Sequence, residues 1–473
     1  LENKLAFRNA PYFFVILVVL VFGIYGSFLG LAEDSDSISI YKNIEKLVNF
    51  EYIPSRSWGN PGYEFPISFI VYNFGLQIGN LYSLFWCLIF LITSYALLKH
   101  HKNKFWYFLA IALSPLTLSN ASALMETMQG VSIAVLIVYF ANQYLNTKNT
   151  KQLVFLTLLS VLLLLTRIDY VVLLFALWLS IVLTLQTNRE RLYPTISFII
   201  AGVVTALIYG LINNGYEFLS HNVLLSESYG RRAIRSIIGL VTIFSAPGLL
   251  LVATIVIINR QILINTFKES FLFKLLFFSL IFGGIRFMLL PDELEYIFWL
   301  LPIIIFGLSS LNIPKYLAVP LAISIASVSF VNISFFDRNL VDDNLKFAPK
   351  VSIGGVFQDF ASRKMALIRN ESMFSDYLNQ SLSKQYPECG YYDIKSSNND
   401  CLIVDFSIAY QVDNPRIGVL TSDKYKKVLV SENPIFGWRG WRVSQPSINY
   451  SKTFNDYKNK KQINFIELKN LKQ

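Results

Sequence analysis

The chain has 473 residues, 54% of them hydrophobic and only 15% charged, with a mean hydropathy of +0.47. That balance excludes an ordinary soluble globular protein and fits helices that sit in lipid. The formal net charge of +10 comes from bases scattered among short loops and a polar tail, so membrane topology accounts for it and a nucleic-acid-binding patch does not.

In chain order, the first apolar run covers residues 11–31. It is about 20 residues long, enough for a spanning helix and longer than the apolar core of a secretory signal. Lys4 and Arg8 precede it. This predicts a retained first helix with its N-terminus in the cytoplasm. Further spans are expected at 80–98, 105–118, 124–144, 153–166, 169–187, 195–212, 236–258, 274–290, 297–311 and 316–333. The total is about eleven helices, because the bilayer leaves backbone groups no other way to pair.

With the N-terminus inside, the cytoplasmic loops are "KHHKNK", "NTKNTKQ", "NRERLYP", "NRQILINTFKES" and "NIPK", and each carries at least one base. The opposite side holds 32–66, "SNASALMET", the "TRID" corner, 213–235 and "LPDELEY", with nearly all the acids of this half. In the first of these loops "SDSISIYKNIEKLVNF" sets Ile38, Tyr41, Ile44, Leu47 and Val48 at helical spacing, which predicts an amphipathic interfacial helix. "IPSRSWGNPGYEFP" reads as turns, and "ISFIVYNFGLQIG" as a second surface helix.

Residues 334–473 lose the long apolar runs and gain Asn, Ser, Asp and Lys. They read as an extracytoplasmic soluble domain of mixed α/β or β-rich character, with strands in "CLIVDFSIAY" and "KVLV". Cys389 and Cys401 would close a short disulfide loop in an oxidising compartment, the alternative being two free thiols, while Cys87 is a buried small hydrophobe.

The charged residues of the membrane half are the candidate site. Asp34 and Asp36, one residue apart, either cap the interfacial helix or supply a general base at the membrane surface. Glu126 opens a helix, where a solvated acid is the plain alternative. Arg167 and Asp169 lie between apolar runs with almost no loop, where charges are costly unless paired or facing a wet cavity. They either pair with each other or receive a phosphate. Asp292, Glu293 and Glu295 form another acidic corner. Arg231, Arg232 and Arg235 form a basic cluster against the positive-inside trend and want an anionic partner, a lipid headgroup or a lipid-borne phosphate.

These features together resemble the GT-C superfamily of polytopic glycosyltransferases, which use polyprenyl-phosphate-linked sugars. The likeness covers residues 1–333: a first helix ending in "EDSD", a first outer loop with an interfacial helix and "NPGYEFP", "SALMET" opening a helix, "TRID" at a corner, and "LPDELEY" before "IFWLLP". The chain departs from the family pattern at Ile168, where Pro is frequent, and at Glu295, where some members have Arg. The resemblance implies an α-helical GT-C-like catalytic domain, 1–333, followed by the second domain, 334–473. It implies transfer of a sugar from a polyprenyl-phosphate donor to a hydroxyl of a glycan, lipid or protein acceptor. Asp36, with Asp34 as alternate, would be the base; Arg167, Arg231, Arg232 and Arg235 would hold the donor phosphate; Tyr63, Glu64, Glu126, Asp169, Asp292 and Glu293 would line the substrate site. A divalent ion, Mg or Mn, would bind at Asp34 and Asp36 if one is used, and that point stays open. A secondary transporter is the rival reading, disfavoured because the charges gather at one face. A ligase or polymerase moving a preassembled glycan is another. The expected setting is a bacterial inner membrane.

Overall fold

The computed structural model describes residues 2–30, 35–54, 59–212, 229–289, 297–311, 313–339, 344–369, 372–389, 401–404, 427–431 and 455–467. The membrane half is a helical bundle. Its helices are α1 (Glu2–Ser27), α2 (Ser35–Val48), α3 (Pro61–Phe74), α4 (Leu76–Leu98), α5 (Lys104–Ala112), α6 (Pro115–Asn120), α7 (Glu126–Thr147) and α8 (Thr150–Thr166). A 3-10 turn, Ile168–Tyr170, leads into α9 (Val171–Val182). Then come α10 (Asn188–Ile212), α11 (Tyr229–Ile258), α12 (Arg260–Glu269), α13 (Phe271–Leu289), α14 (Leu300–Ser309) and α15 (Lys315–Ser327).

This is an integral membrane protein. Along α1, Phe13, Phe14, Leu17, Val21 and Ile24 are exposed on one helical face, and α10 exposes Ile196, Ile199, Ile200, Val203, Leu207 and Leu211 in the same way. In water such stripes would be a large uncovered apolar surface; in hydrocarbon they are the solvent-facing side. Among the described residues, five helices are long and apolar enough to cross a membrane, or six with the pair Ile243–Ile258 and Arg260–Glu269, which meet at 83°. On that measure the described residues supply five or six of the eleven or so expected spans. Thr150–Thr166, Ile168–Val182, Leu300–Ser309 and Lys315–Ser327 are apolar but short. The run 105–118 is cut in two, since Pro115 cannot continue α5 and instead starts α6 behind the Ser114 cap, whose hydroxyl accepts from Thr117 N–H at 3.2 Å. The last expected span, 316–333, stops at Ser327 and passes into a strand from Val331.

Polar contacts sort the loops between the two ends of the bundle. At one end His101 Nδ1 lies 3.0 Å from Ser309 O, Asn103 donates to Ile313 O at 2.6 Å and Lys148 approaches Glu190 at 3.6 Å. All but Ser309 belong to the base-carrying turns. At the other end Asn80 donates to Ser27 O and Gly30 O, each at 3.1 Å, tying the start of α4 to the end of α1. The starts of α3 and α7 and the end of α8 gather there as well. Helix α11 bends at Ser245, whose φ of 60° is left-handed, two residues before Pro247. Ser324 of α15 donates to the Phe244 carbonyl at 3.3 Å and so satisfies the break.

Helices α2 and α3 pack on each other through Ile40 and Ile44, with Val48 alongside, against Tyr63, Ile67 and Val71. The buried stripe of α2 keeps Ile44 and Leu47 of the expected one, but Ile40 takes the inner place expected for Tyr41, which is exposed, because α3 claims the Ile40 side. Helix α3 begins at Pro61, inside the segment expected to be all turns.

After α15, strands β1 (Val331–Asn339) and β2 (Asn344–Ile353) form an antiparallel hairpin. They are followed by α16 (Gly355–Arg369) and α17 (Ser372–Gln385). Strand β3 (Cys401–Val404) pairs parallel with β4 (Lys427–Ser431), and β4 antiparallel with β5 (Phe465–Glu467). Tyr377, Leu378, Leu382, Cys389, Cys401, Leu429, Ile463 and Phe465 make a core of their own, whereas Val356 and Phe360 of α16 belong to the core of the membrane bundle. Cys389 and Cys401 are joined by a disulfide across 12 positions.

Candidate functional site

Of the candidate residues, Glu126, Arg167 and Asp169 meet at the end of the bundle opposite the base-rich turns. Helix α8 ends at Thr166 because Arg167 turns extended (φ −157°, ψ 113°), which aims its side chain back into the bundle. Arg167 Nη1 lies 3.5 Å from Glu126 Oε1, and its Nε donates to Asp169 Oδ1 at 3.1 Å. Glu126 is 0% exposed and Arg167 2%. Glu126 is therefore not a solvated acid at a helix start. It stands in the first turn of α7, where the positive helix end supports a carboxylate.

Glu64 is equally buried, in the first turn of α3, and Tyr52 donates its hydroxyl to Glu64 Oε2 at 2.6 Å. Burial, and then the charge and hydrogen bond of Glu64, push the Tyr52 phenol well above its ordinary range, so it remains a donor at any physiological pH. Tyr63, beside Glu64, is buried among Ile40, Ile44, Ile67 and Leu124, its ring 6.3 Å from that of Tyr82.

What holds α3 against α8 is close backbone approach. A Cβ on Gly62 would lie 3.0 Å from the carbonyl carbon of Leu165 and from the nitrogen of Thr166. Gln129, one turn after Glu126, joins four elements: its amide donates to Gly62 O and to Thr166 Oγ1, both at 3.0 Å, and accepts from Tyr82 O–H at 2.9 Å. Tyr209 of α10 adds a hydroxyl 3.2 Å from both Gly59 O and Leu164 O. Glu64, Glu126, Arg167 and Asp169 are thus held on neighbouring, interlocked elements. Gln129, Tyr52 and Tyr209 were not singled out from the sequence. A glutamine three residues after an acid in an apolar helix was the only cue for Gln129.

A second buried cation, also not singled out, reaches this end from α16. Arg363 pairs with Asp359 at 2.9 Å, and its guanidinium donates to Ser122 O (2.9 Å), Ser122 Oγ (3.1 Å), Ser119 O (2.9 Å) and Gly26 O (3.4 Å). It ties the last turn of α1 to the "SNAS" loop that leads to Glu126.

Asp36 stands in the first turn of α2, and Arg231, Arg232 and Arg235 in the first turns of α11. Asp34, Asp292, Glu293 and Glu295 lie outside the described residues. Among the described residues no three His, Cys, Asp or Glu side chains group closely enough to hold a metal ion.

Chemically, the Glu64 and Glu126 carboxylates and the Arg167 guanidinium are buried at a membrane end, with the half-buried Asp169 beside them. Burying ion pairs costs more desolvation than a well-packed apolar core would, so stability alone does not account for the cluster, and ionisable groups in such places mark substrate paths. Carboxylates of this kind accept hydrogen bonds from hydroxyl-rich ligands, and a guanidinium exchanges carboxylate for phosphate oxygens with the same planar fork.

Fold and site together define a polytopic helical membrane protein with a buried acid–arginine cluster at one end of its bundle. No family model matches the chain, and no curated protein does. Among solved structures, the crystal structure of ArnT from Cupriavidus metallidurans bound to undecaprenyl phosphate is similar to it, with a TM-score of 0.49 and 12% identity. The likeness covers 64% of this chain and 60% of that one, so this chain spans well under two thirds of that protein.

Proposed function

We propose that the protein is a membrane glycosyltransferase that moves a sugar from a polyprenyl-phosphate donor to an acceptor hydroxyl. The observation that carries this reading is the buried Glu126–Arg167–Asp169 cluster, with Glu64 on the adjoining helix. In the proposed step the acceptor oxygen attacks the anomeric carbon, the bond from that carbon to the phosphate oxygen breaks, and configuration inverts. Asp36, with Asp34 as alternate, takes the hydroxyl proton. The polyprenyl phosphate leaves with the bonding pair, its charge met by Arg167 and by Arg231, Arg232 and Arg235. Arg167 would do so by exchanging a carboxylate for a phosphate oxygen. Glu64, Glu126, Asp169 and Tyr63, with Asp292 and Glu293, would orient sugar hydroxyls. A Mg or Mn ion at Asp34 and Asp36 is compatible with this chemistry and is not required by it.

In the same proposal residues 1–333 form the catalytic membrane part and 334–473 a second, extracytoplasmic unit. The acid-bearing end faces away from the cytoplasm, in a bacterial inner membrane. A glycan, lipid or protein acceptor is compatible with this arrangement. The bent pair formed by α11 and α12 and the break at Ser245 favour one competitor, a secondary transporter, since such folds use discontinuous helices.

Purified full-length protein in liposomes, given a radiolabelled polyprenyl-phosphate sugar and membrane extract as acceptor source, tests both. Enzyme activity predicts label in a new glycosidic bond, reduced about 100-fold or more in Asp36→Asn and Glu126→Gln variants that keep their fold. Donor or sugar crossing sealed vesicles with no new bond would establish the transporter instead.

A further inference from the structure

Apart from the acid–arginine cluster, the molecule has a cleft of about 570 Å³ between α1 and α16. Val21, Phe22 and Tyr25 line one wall, Phe357, Phe360, Ala361 and Lys364 the other, and Asn455 touches its rim. None of these residues belongs to the proposed reaction. The wall on α16 follows helical spacing, four residues over two turns, with the cation last. Val21 is 57% exposed on the lipid-facing stripe of α1, six residues before that helix ends at Ser27. Six residues correspond to about 9 Å of helix. The apolar end of the cleft is therefore continuous with the hydrocarbon-facing surface. At its other end Lys364 Nζ lies 5.4 Å from the centre of the Tyr25 ring, two residues from the end of α1, at the level where headgroups begin. The rings between are held firmly: Phe360 stacks on Phe22 at 5.9 Å and meets Tyr25 edge-on at 5.2 Å.

We infer that this cleft binds one anionic phospholipid of the surrounding leaflet, its acyl chain along Val21 and Phe22 and its phosphate at Lys364. Only an amphiphile matches a cleft that opens into hydrocarbon at one end and carries an ammonium at the other. The ammonium selects a net negative headgroup over a zwitterionic one. By packing on both α1 and α16, the lipid would fill the seam where the segment after β2 meets the first helix.

Native mass spectrometry of the full chain, released from micelles containing equal phosphatidylglycerol and phosphatidylcholine, reads the occupancy directly. The wild type is expected to retain one phosphatidylglycerol in preference. Lys364→Gln should lower the ratio of the two lipids about fivefold, the effect of one basic side chain at an anionic surface, with phosphatidylcholine retention unchanged. Val21→Trp, which fills the apolar end from an exposed position, should lower retention of both. The inference is overturned if the wild type shows no preference, if the ratio is unchanged in Lys364→Gln, or if a preferred phosphatidylglycerol persists in Val21→Trp. It is also overturned if Lys364→Gln loses both lipids together with a lower unfolding temperature, since the lysine would then act only by holding the fold.

Discussion

Replacing Arg363 by Met keeps the length of the side chain and removes its charge. In the native protein the guanidinium makes one ion pair at 2.9 Å and four hydrogen bonds between 2.9 and 3.4 Å, with Arg363 and Asp359 both essentially inaccessible. Each charged hydrogen bond contributes roughly 1.5–3 kcal/mol, but the larger effect is that Asp359 keeps its buried charge after its guanidinium is gone. The expected cost is about 3–5 kcal/mol. A double variant, Asp359→Leu with Arg363→Met, removes both charges and should recover much of that loss, since apolar replacement of a buried pair is often neutral. Urea unfolding of the detergent-solubilised chain, followed by tryptophan fluorescence, should rank the wild type first, the double variant next and Arg363→Met last. The reasoning fails if Arg363→Met unfolds within about 1 kcal/mol of the wild type, or if the double variant is no more stable than the single one.

Gly62→Ala should push α3 away from α8, costing about 1–3 kcal/mol as an overpacked contact, and should reduce transfer activity by more than its stability loss alone explains; activity and unfolding measured on one preparation separate the two. Tyr52→Phe removes the donor to Glu64 and should lower stability by roughly 1.5–3 kcal/mol in the same urea assay, with little change in Tyr52→His if the imidazole reaches the carboxylate. Cys389→Ser removes a bridge closing a short loop, a loss of about 3 kcal/mol from the C-terminal core, read as a lower unfolding midpoint and a newly alkylated Cys401 by mass spectrometry. His101 has its pKa lowered by burial, so its neutral form is favoured in the fold. That contribution is complete above the ordinary histidine pKa of about 6.5 and is lost as pH falls through the depressed folded value. His101→Gln should flatten this acidic limb of the stability curve.

That "TRID" and "SALMET" carry charges with a special setting was legible in the sequence, because a charge between apolar runs has few tolerable places. Their direct contact, Arg167 to Glu126, was not, because pairing within "TRID" satisfied the same residues on paper. In the stripe of α2 only Tyr41 was misplaced, because Ile40 and Tyr41 offer two overlapping helical faces with Ile44, and only the neighbour α3 decides between them. Pro115 announced the break after α5 in plain sight, yet hydropathy averaged across it. Arg363 was the least visible: Asp359 and Arg363 have the spacing of an ordinary exposed i,i+4 pair, and the carbonyls they serve lie in remote parts of the chain. Among the candidate acids, the described geometry places Glu64 and Glu126 inside the bundle.

The partners of Arg363 are separated from it by 337 positions at Gly26 and by 241 at Ser122. A ribosome adds about 5–20 residues each second, so these oxygens would wait tens of seconds after insertion of α1 before the arginine emerges. During that interval the nascent bundle holds an unfinished corner beside the segment leading to Glu126. Closure of the corner at the end of α1 and the segment leading to Glu126 thereby waits for α16, so these distant stretches of chain are completed together.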